Sequence, residues 1–191
     1  MKLNCKNIIF FMLFFCPICA VFGVESLHGA DGFQINVIDA SKNAVFHNSL
    51  GNVFFDEKNY GSAITEYETA YNLAPNSNMA GVYLFNLAKC YKLMNKYDYA
   101  KKAILGAISK DCINLTYYEA LVDCYFALNT QKQEFEKHIK DETNPYNRII
   151  AGLIYLKSGD KVTAKMIFDD FITHYPDMQI TNDIKLIIDT L

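Results

Sequence analysis

The chain has 191 residues, of which 51 % are hydrophobic and 20 % charged, a balance that excludes wholesale disorder and fits one domain or a short repeat array. Its 18 basic and 21 acidic side chains leave a formal charge of −3, which excludes nucleic-acid binding through a general basic field. Only 4 Pro and 9 Gly stand against 14 Phe and 13 Tyr, so a helical chain is predicted and a turn-rich β-sandwich is not.

The first element is a targeting segment. Residues 1–23 read MKLNCKNIIFFMLFFCPICAVFG: Lys2 and Lys6 form a positive start, and Ile8 to Phe22 is apolar apart from Pro17. Val21 and Gly23 are small enough for the −3 and −1 sites of signal peptidase. This layout predicts a secretory signal peptide over 1–23 and a secreted, periplasmic or cell-envelope protein. The apolar run, about 15 residues, is short for a bilayer span of roughly 20. A membrane-anchored cell-envelope assembly scaffold with an uncleaved leader is the alternative, and only that segment would then touch a membrane. Cys16-Pro17-Ile18-Cys19 spells a redox pair, but in a hydrophobic leader it lacks the setting that chemistry needs. Phe15 and Ile18 occupy the places where a lipidated cysteine wants a small neighbour. Removing the leader takes two lysines and no acid, leaving a charge of −5 and three cysteines, Cys90, Cys112 and Cys124. An odd number of cysteines is not a disulfide framework. Residues 24–40 read as a linker or flexible arm.

Residues 41–191 repeat at roughly 34 residues. Leu50-Gly51, Phe54, Tyr60, Ala63, Tyr67 and Ala70 recur 37 positions later as Leu87-Ala88, Tyr91, Tyr97, Ala100, Ile104 and Ala107. A third copy follows 34 later with Leu121-Val122 and Tyr125, and a fourth 30 later with Ala151-Gly152, Tyr155, Ala164, Phe168 and Pro176. Inside the first copy, Phe46, Leu50, Val53 and Phe54 keep helical spacing, Lys58-Asn59 marks a turn, and the period resumes from Ala63 to Leu73. Pro75-Asn76-Ser77 ends it, because proline disfavours helix in the residue before it. Gly51 and Ala63 predict close approach of the two helices of a hairpin, and Ala70 close approach of the next hairpin. One hairpin cannot bury its apolar face, so neighbours must stack.

This pattern resembles the tetratricopeptide repeat (TPR) family, with repeats at about 44–77, 81–114, 115–144 and 145–178. The resemblance implies an all-α fold: a right-handed superhelix, or α-solenoid, of about four stacked antiparallel helical hairpins plus a C-terminal capping helix over 181–191. The segment from Phe168 to Pro176 is similar to repeats of bacterial cell-envelope TPR proteins. In the third copy Glu134, His138 and Asp141 stand where two small residues and an aromatic are usual, so its second helix is expected to be short, irregular or displaced. In the fourth, Phe171 replaces a small residue. Thr181-Asn182-Asp183 reads as an N-cap and acidic first turn, and Ile184, Ile187, Ile188 and Leu191 make the apolar face of the cap.

The sequence holds no phosphate-binding glycine loop, no nucleophile elbow and no histidines paired at metal spacing. His28, His47, His138 and His174 are scattered, and His47 takes a packing place. The expectation is therefore a non-catalytic protein with no cofactor, no metal and no small-molecule substrate. Cys90 and Cys124 sit at equivalent inward places and read as small buried hydrophobes; a disulfide between them is the alternative. A thiol-dependent redox protein using Cys112, Cys124 or the leader pair is the less favoured reading. Asn114-Leu115-Thr116 spells a glycosylation acceptor that matters only in a eukaryotic secretory pathway.

The resemblance implies binding of a protein or peptide in a concave groove lined by the first helix of each repeat. Projected onto this chain, the groove residues are Asn48, Asn52 and Phe55, then Phe85, Asn86, Lys89 and Lys92. The third copy supplies Glu119, Asp123 and Phe126, and the fourth Tyr146, Ile149 and Leu153, with Leu156 beyond. Two readings stay open. Lys89 and Lys92 pair with Glu119 and Asp123 as a solvated network of little energy, or Phe55, Phe85 and Phe126 form an apolar track for a helix or extended peptide. Asn52 and Asn86 match the asparagines with which some cochaperones of the family hold a C-terminal carboxylate. Asn48, Thr116 and Ala120 replace the required cations, which excludes that mode.

Overall fold

The structure is a computed structural model that describes residues 43–141 and 143–191. The predicted signal peptide, its cysteine pair and the 24–40 arm lie outside the described residues. Among those described there are nine α-helices and no strand. They are α1 (Ala44–Asp56), α2 (Tyr60–Leu73), α3 (Ala80–Leu93), α4 (Tyr97–Lys110), α5 (Leu115–Ala127), α6 (Gln131–Lys140), α7 (Tyr146–Lys157), α8 (Lys161–His174) and α9 (Thr181–Ile188).

Each hairpin turns by the same device. Lys58, Asn95, Asn129 and Gly159 follow the first helix of their repeats and have positive φ, 60°, 57°, 56° and 88°. The next residue then donates its N–H back to the carbonyl of the repeat aromatic: Asn59 to Phe54, Lys96 to Tyr91, Thr130 to Tyr125 and Asp160 to Tyr155, at 2.8–3.1 Å. This left-handed helix ending satisfies carbonyls the last turn would otherwise leave unpaired. The repeat seen in the sequence is therefore a repeat of backbone geometry as well as of packing.

Small residues set the packing as expected. A Cβ on Gly51 would stand 2.6 Å from the Tyr67 ring, and one on Gly152 would overlap the ring of Phe168. Ala63, Ala70, Ala100, Ala107 and Ala164 are wholly buried. A continuous core runs through Tyr67, Ile104, Leu121, Tyr125, Ile149 and Phe168, each such side chain contributing about 1.5–3 kcal/mol on burial. Together these features give a helical-repeat superhelix of stacked antiparallel hairpins.

The third hairpin departs from the others. Helix α6 is 10 residues long and buries none of them. It packs more against α7 than against its own partner α5, and α5 packs directly on α7. Glu134 and His138 take the inward places through an ion pair to Lys101 and hydrogen bonds to Tyr125 and Asn147 instead of close apolar packing, so α6 sits less deeply than the other second helices. Phe171, where a small residue was expected, is fully buried on α8, the helix that α9 covers.

The end helix differs at its start. Ile180, not Thr181, is the N-cap, and it supplies no side-chain cap. Thr181 is wholly buried and its hydroxyl donates to the Tyr175 carbonyl at 2.7 Å. The apolar face is as expected, with Ile184 buried and Ile187, Ile188 and Leu191 packed against the core.

Candidate functional site: the concave groove

Helices α1, α3, α5 and α7 carry the projected groove residues, and the structure divides these into surface and core. Asn48, Phe55, Phe85, Lys89, Lys92, Asp123, Phe126 and Tyr146 are half-buried, while Asn52 and Glu119 are exposed. Ile149 and Leu153, expected in the groove, are core residues at 0 % and 5 % exposure. Six consecutive residues of α7, Ile149 to Ile154, are buried because α5, α6 and α8 all pack on it. Asn86 is also buried, at 6 % exposure.

The asparagines are already engaged. Asn86 Nδ2 donates to Asn48 Oδ1 at 2.9 Å, joining α3 to α1. The Tyr67 hydroxyl donates to Asn52 Oδ1 at 2.8 Å.

The charged and aromatic groups form two clusters, Lys89 with Phe55 and Phe85, and Asp123 with Lys92, Lys157 and Phe126. Asp123 accepts Lys92 Nζ at 2.6 Å and Lys157 Nζ at 2.5 Å. Burial alone would raise the Asp123 carboxyl, but hydrogen bonds from Lys157 and Lys92 outweigh it and hold the group below its ordinary range. These pairs are 28–42 % exposed, so each is worth only about 0–1 kcal/mol. The expected Lys89–Glu119 pairing is not formed. Lys89 Nζ instead lies 5.4 Å from the Phe55 ring centre and 5.9 Å from that of Phe85, and Lys157 Nζ lies 5.7 Å from Phe126. Such cation–π contacts contribute about 0.5–1 kcal/mol at exposed sites. Glu119 has no cationic partner among the described residues; burial, then the charge of Asp123, pushes its carboxyl up.

Of the expected charge network the Lys92–Asp123 pair forms, and Phe55, Phe85 and Phe126 lie half-buried on successive first helices. Of the ion-paired lysines, Lys157 also lies over a ring, that of Phe126. Two of the three rings also support the fold: Phe85 lies 4.7 Å from the buried Tyr117 ring, and Phe55 meets Tyr60 edge-on at 5.6 Å. Tyr146 stacks on Tyr118 at 5.7 Å, and its hydroxyl lies 3.1 Å from Cys112 Sγ.

Lys157 was missed by sequence reasoning. It lies one residue past Leu156, and only the reach of its side chain back to Asp123 brings it into the groove. A second missed feature is a cleft of about 630 Å³ between the start of α5 and the face of α9. Its lining includes Asp111, Glu119, Asp183, Leu186 and Ile187. Helix α9 thus forms a wall of the groove besides covering the end of the stack.

Outside the groove, His138 joins α6 to both neighbours. Its Nδ1 lies 2.7 Å from Asn147 Oδ1, an acceptor, so Nδ1 carries the proton and donates. Nε2 then accepts the Tyr125 hydroxyl at 3.2 Å. Burial lowers the His138 imidazole and outweighs the opposing hydrogen bond to Asn147. His47 Nδ1 donates to Glu66 Oε2 at 2.6 Å, joining α1 to α2. Cys90 and Cys124 are buried free thiols, each pushed up to about 11 by burial, the opposite of what a nucleophilic thiolate needs. Among the described residues no three His, Cys, Asp or Glu side chains gather as a metal site. No described helix is long and apolar enough to cross a membrane.

Two segments match tetratricopeptide repeat family models, residues 44–77 and 149–177. These are the α1–α2 hairpin and nearly all of α7–α8. Two of the hairpins thus resemble tetratricopeptide repeats. No curated protein matches the chain. Among solved structures, it is similar to Pseudomonas aeruginosa pilF, at 15 % identity over 76 % of this chain and 67 % of that one, TM-score 0.49. It is similar also to the first TPR of Spaghetti (RPAP3) bound to an HSP90 peptide, at 18 % identity over 78 % and 94 %, TM-score 0.45. The second TPR domain of human RPAP3, in complex with an HSP70 peptide, gives 18 % over 76 % and 94 %, TM-score 0.44.

Proposed function

We propose that this protein is a non-catalytic scaffold that works outside the cytoplasm and holds a segment of a partner protein in its concave groove. The observation that carries this reading is the row of half-buried rings, Phe55, Phe85 and Phe126, on three successive first helices, with lysine ammonium groups above them. A lysine over a ring gives way to a ligand at little cost, because its charge stays solvated while the ring gains apolar cover. The location rests on the leader-like residues 1–23, with the positive Lys2/Lys6 start and the apolar run up to Phe22.

The test is a fluorescent peptide selected against the full chain from a displayed library, titrated into groove and convex-face variants. Phe126→Ala should weaken binding about tenfold or more, as hot-spot truncations do. The convex control, Val162→Ser with Met166→Ser on the exposed face of α8, should bind as the parent does. Loss of binding in the control with none in Phe126→Ala refutes the groove. N-terminal sequencing of the exported protein tests the location. A chain beginning at Val24 supports release, and an intact Met1 in the membrane fraction shifts the reading to an anchored scaffold.

A further inference from the structure

The groove is not uniform along its helices. Toward the C-terminal ends of α3, α5 and α7 stand Lys89, Lys92 and Lys157, with Asp123 the shared partner of the last two. One turn nearer the start of α5 the sign reverses. The cleft between α5 and α9 is lined by the carboxylates of Asp111, Glu119 and Asp183, and no lysine, arginine or histidine lines it. Its apolar surface includes Leu115, Leu186 and Ile187, and Leu186 is 66 % exposed, unusual for a leucine in a recess.

The chain leaves these charges uncompensated. None of the three carboxylates forms an ion pair among the described residues. Asp111 accepts one backbone N–H, from Ile113 at 3.2 Å. Lys92 and Lys157 are engaged one turn away at Asp123. Three carboxylates beside an open, partly apolar surface set a negative potential there. A cation placed there is attracted by all three carboxylates, whereas an anion is repelled.

We propose that this cleft receives a Lys or Arg side chain of the bound segment, with an adjacent apolar residue resting on Leu186 and Ile187. The proposal rests on the peptide-binding reading above and gives the chemistry of its partner: a cationic, partly apolar stretch. The charge preference is the reverse of the excluded carboxylate-clamp mode.

Three short fluorescent peptide pools titrated into the full chain test it. The pools share apolar flanks and differ at their centre, which is Lys/Arg, Asp/Glu or Ser/Gln. The cationic pool should bind about tenfold tighter than the other two, the value of one good charge-assisted contact. It should weaken on raising NaCl from about 50 to about 500 mM, as screened charge pairs do. Glu119→Gln with Asp183→Asn, both at exposed positions, should remove most of that preference without changing the melting temperature. If the anionic pool binds best and depends on Lys89, the groove reading stands and the cationic proposal falls. If the cationic pool binds equally well to the double variant, the cleft is not its site. If no pool binds, both readings fall.

Discussion

Replacing Gly51 by alanine asks whether the repeat's small residues are there for close approach. In an unconstrained helix interior, glycine to alanine stabilises by about 1 kcal/mol. Here the added methyl would lie 2.6 and 2.7 Å from two Tyr67 ring atoms. The ring has little room to retreat, since Tyr67 is wholly buried and its hydroxyl is held by Asn52. Overpacking of this kind costs about 1–3 kcal/mol, so the helix gain is cancelled or reversed. Gly61 on α2 is the internal control: nothing lies within 4 Å of its missing Cβ. Gly61→Ala should therefore be neutral or stabilising. Chemical denaturation followed by circular dichroism should separate the two variants by about 1 kcal/mol or more. That separation corresponds to about 2–4 °C per kcal/mol in melting temperature for a domain of this size. Equal stabilisation of both variants would refute the proposed contact between α1 and α2.

Other perturbations follow from the same packing. Ala100→Leu, at a wholly buried site in α4, should lose about 1–3 kcal/mol in the same assay. Lys58→Gly should gain up to about 1 kcal/mol, since Lys58 holds a φ of 60° that glycine adopts freely. His138 is held below its ordinary value of 6.5, so its contribution to stability is fully present above that pH and declines as pH falls toward the folded value. Glu134 and Asp141 oppose the shift and Lys137 adds to it. A stability–pH profile should therefore fall on acidification, and His138→Gln should flatten that part of it. Under mildly alkaline alkylation the exposed Cys112 should react first, with Cys90 and Cys124 protected until the chain unfolds. Rapid labelling of Cys124 in the folded protein would revive the thiol-based reading.

The parts legible in sequence are those that depend on local period and size. Gly51, Ala63, Ala100 and Ala164 announced the helix contacts because only a small side chain fits them, and Glu134 and His138 announced a displaced α6. The groove was only half legible. Phe55, Lys89, Asp123 and Phe126 lie where helical projection put them. Ile149 and Leu153 do not, because projection assumes evenly spaced hairpins and the outward α6 lets α7 pack directly on α5. Lys157 and the α9 wall depend on side-chain reach and superhelical curvature, which no single repeat encodes. Phe85 looked free to anchor a ligand, yet its contact with Tyr117 gives it a share in stability.

Mapping backbone amide shifts by NMR, as a selected peptide is titrated into the isotope-labelled full chain, tests the central claim most directly. Shifts clustered on Phe85–Lys92, Glu119–Phe126, Lys157 and Asp183–Ile187 are the predicted result. Shifts confined to the convex surface around Val162 and Met166, with those groove segments unmoved, would contradict it.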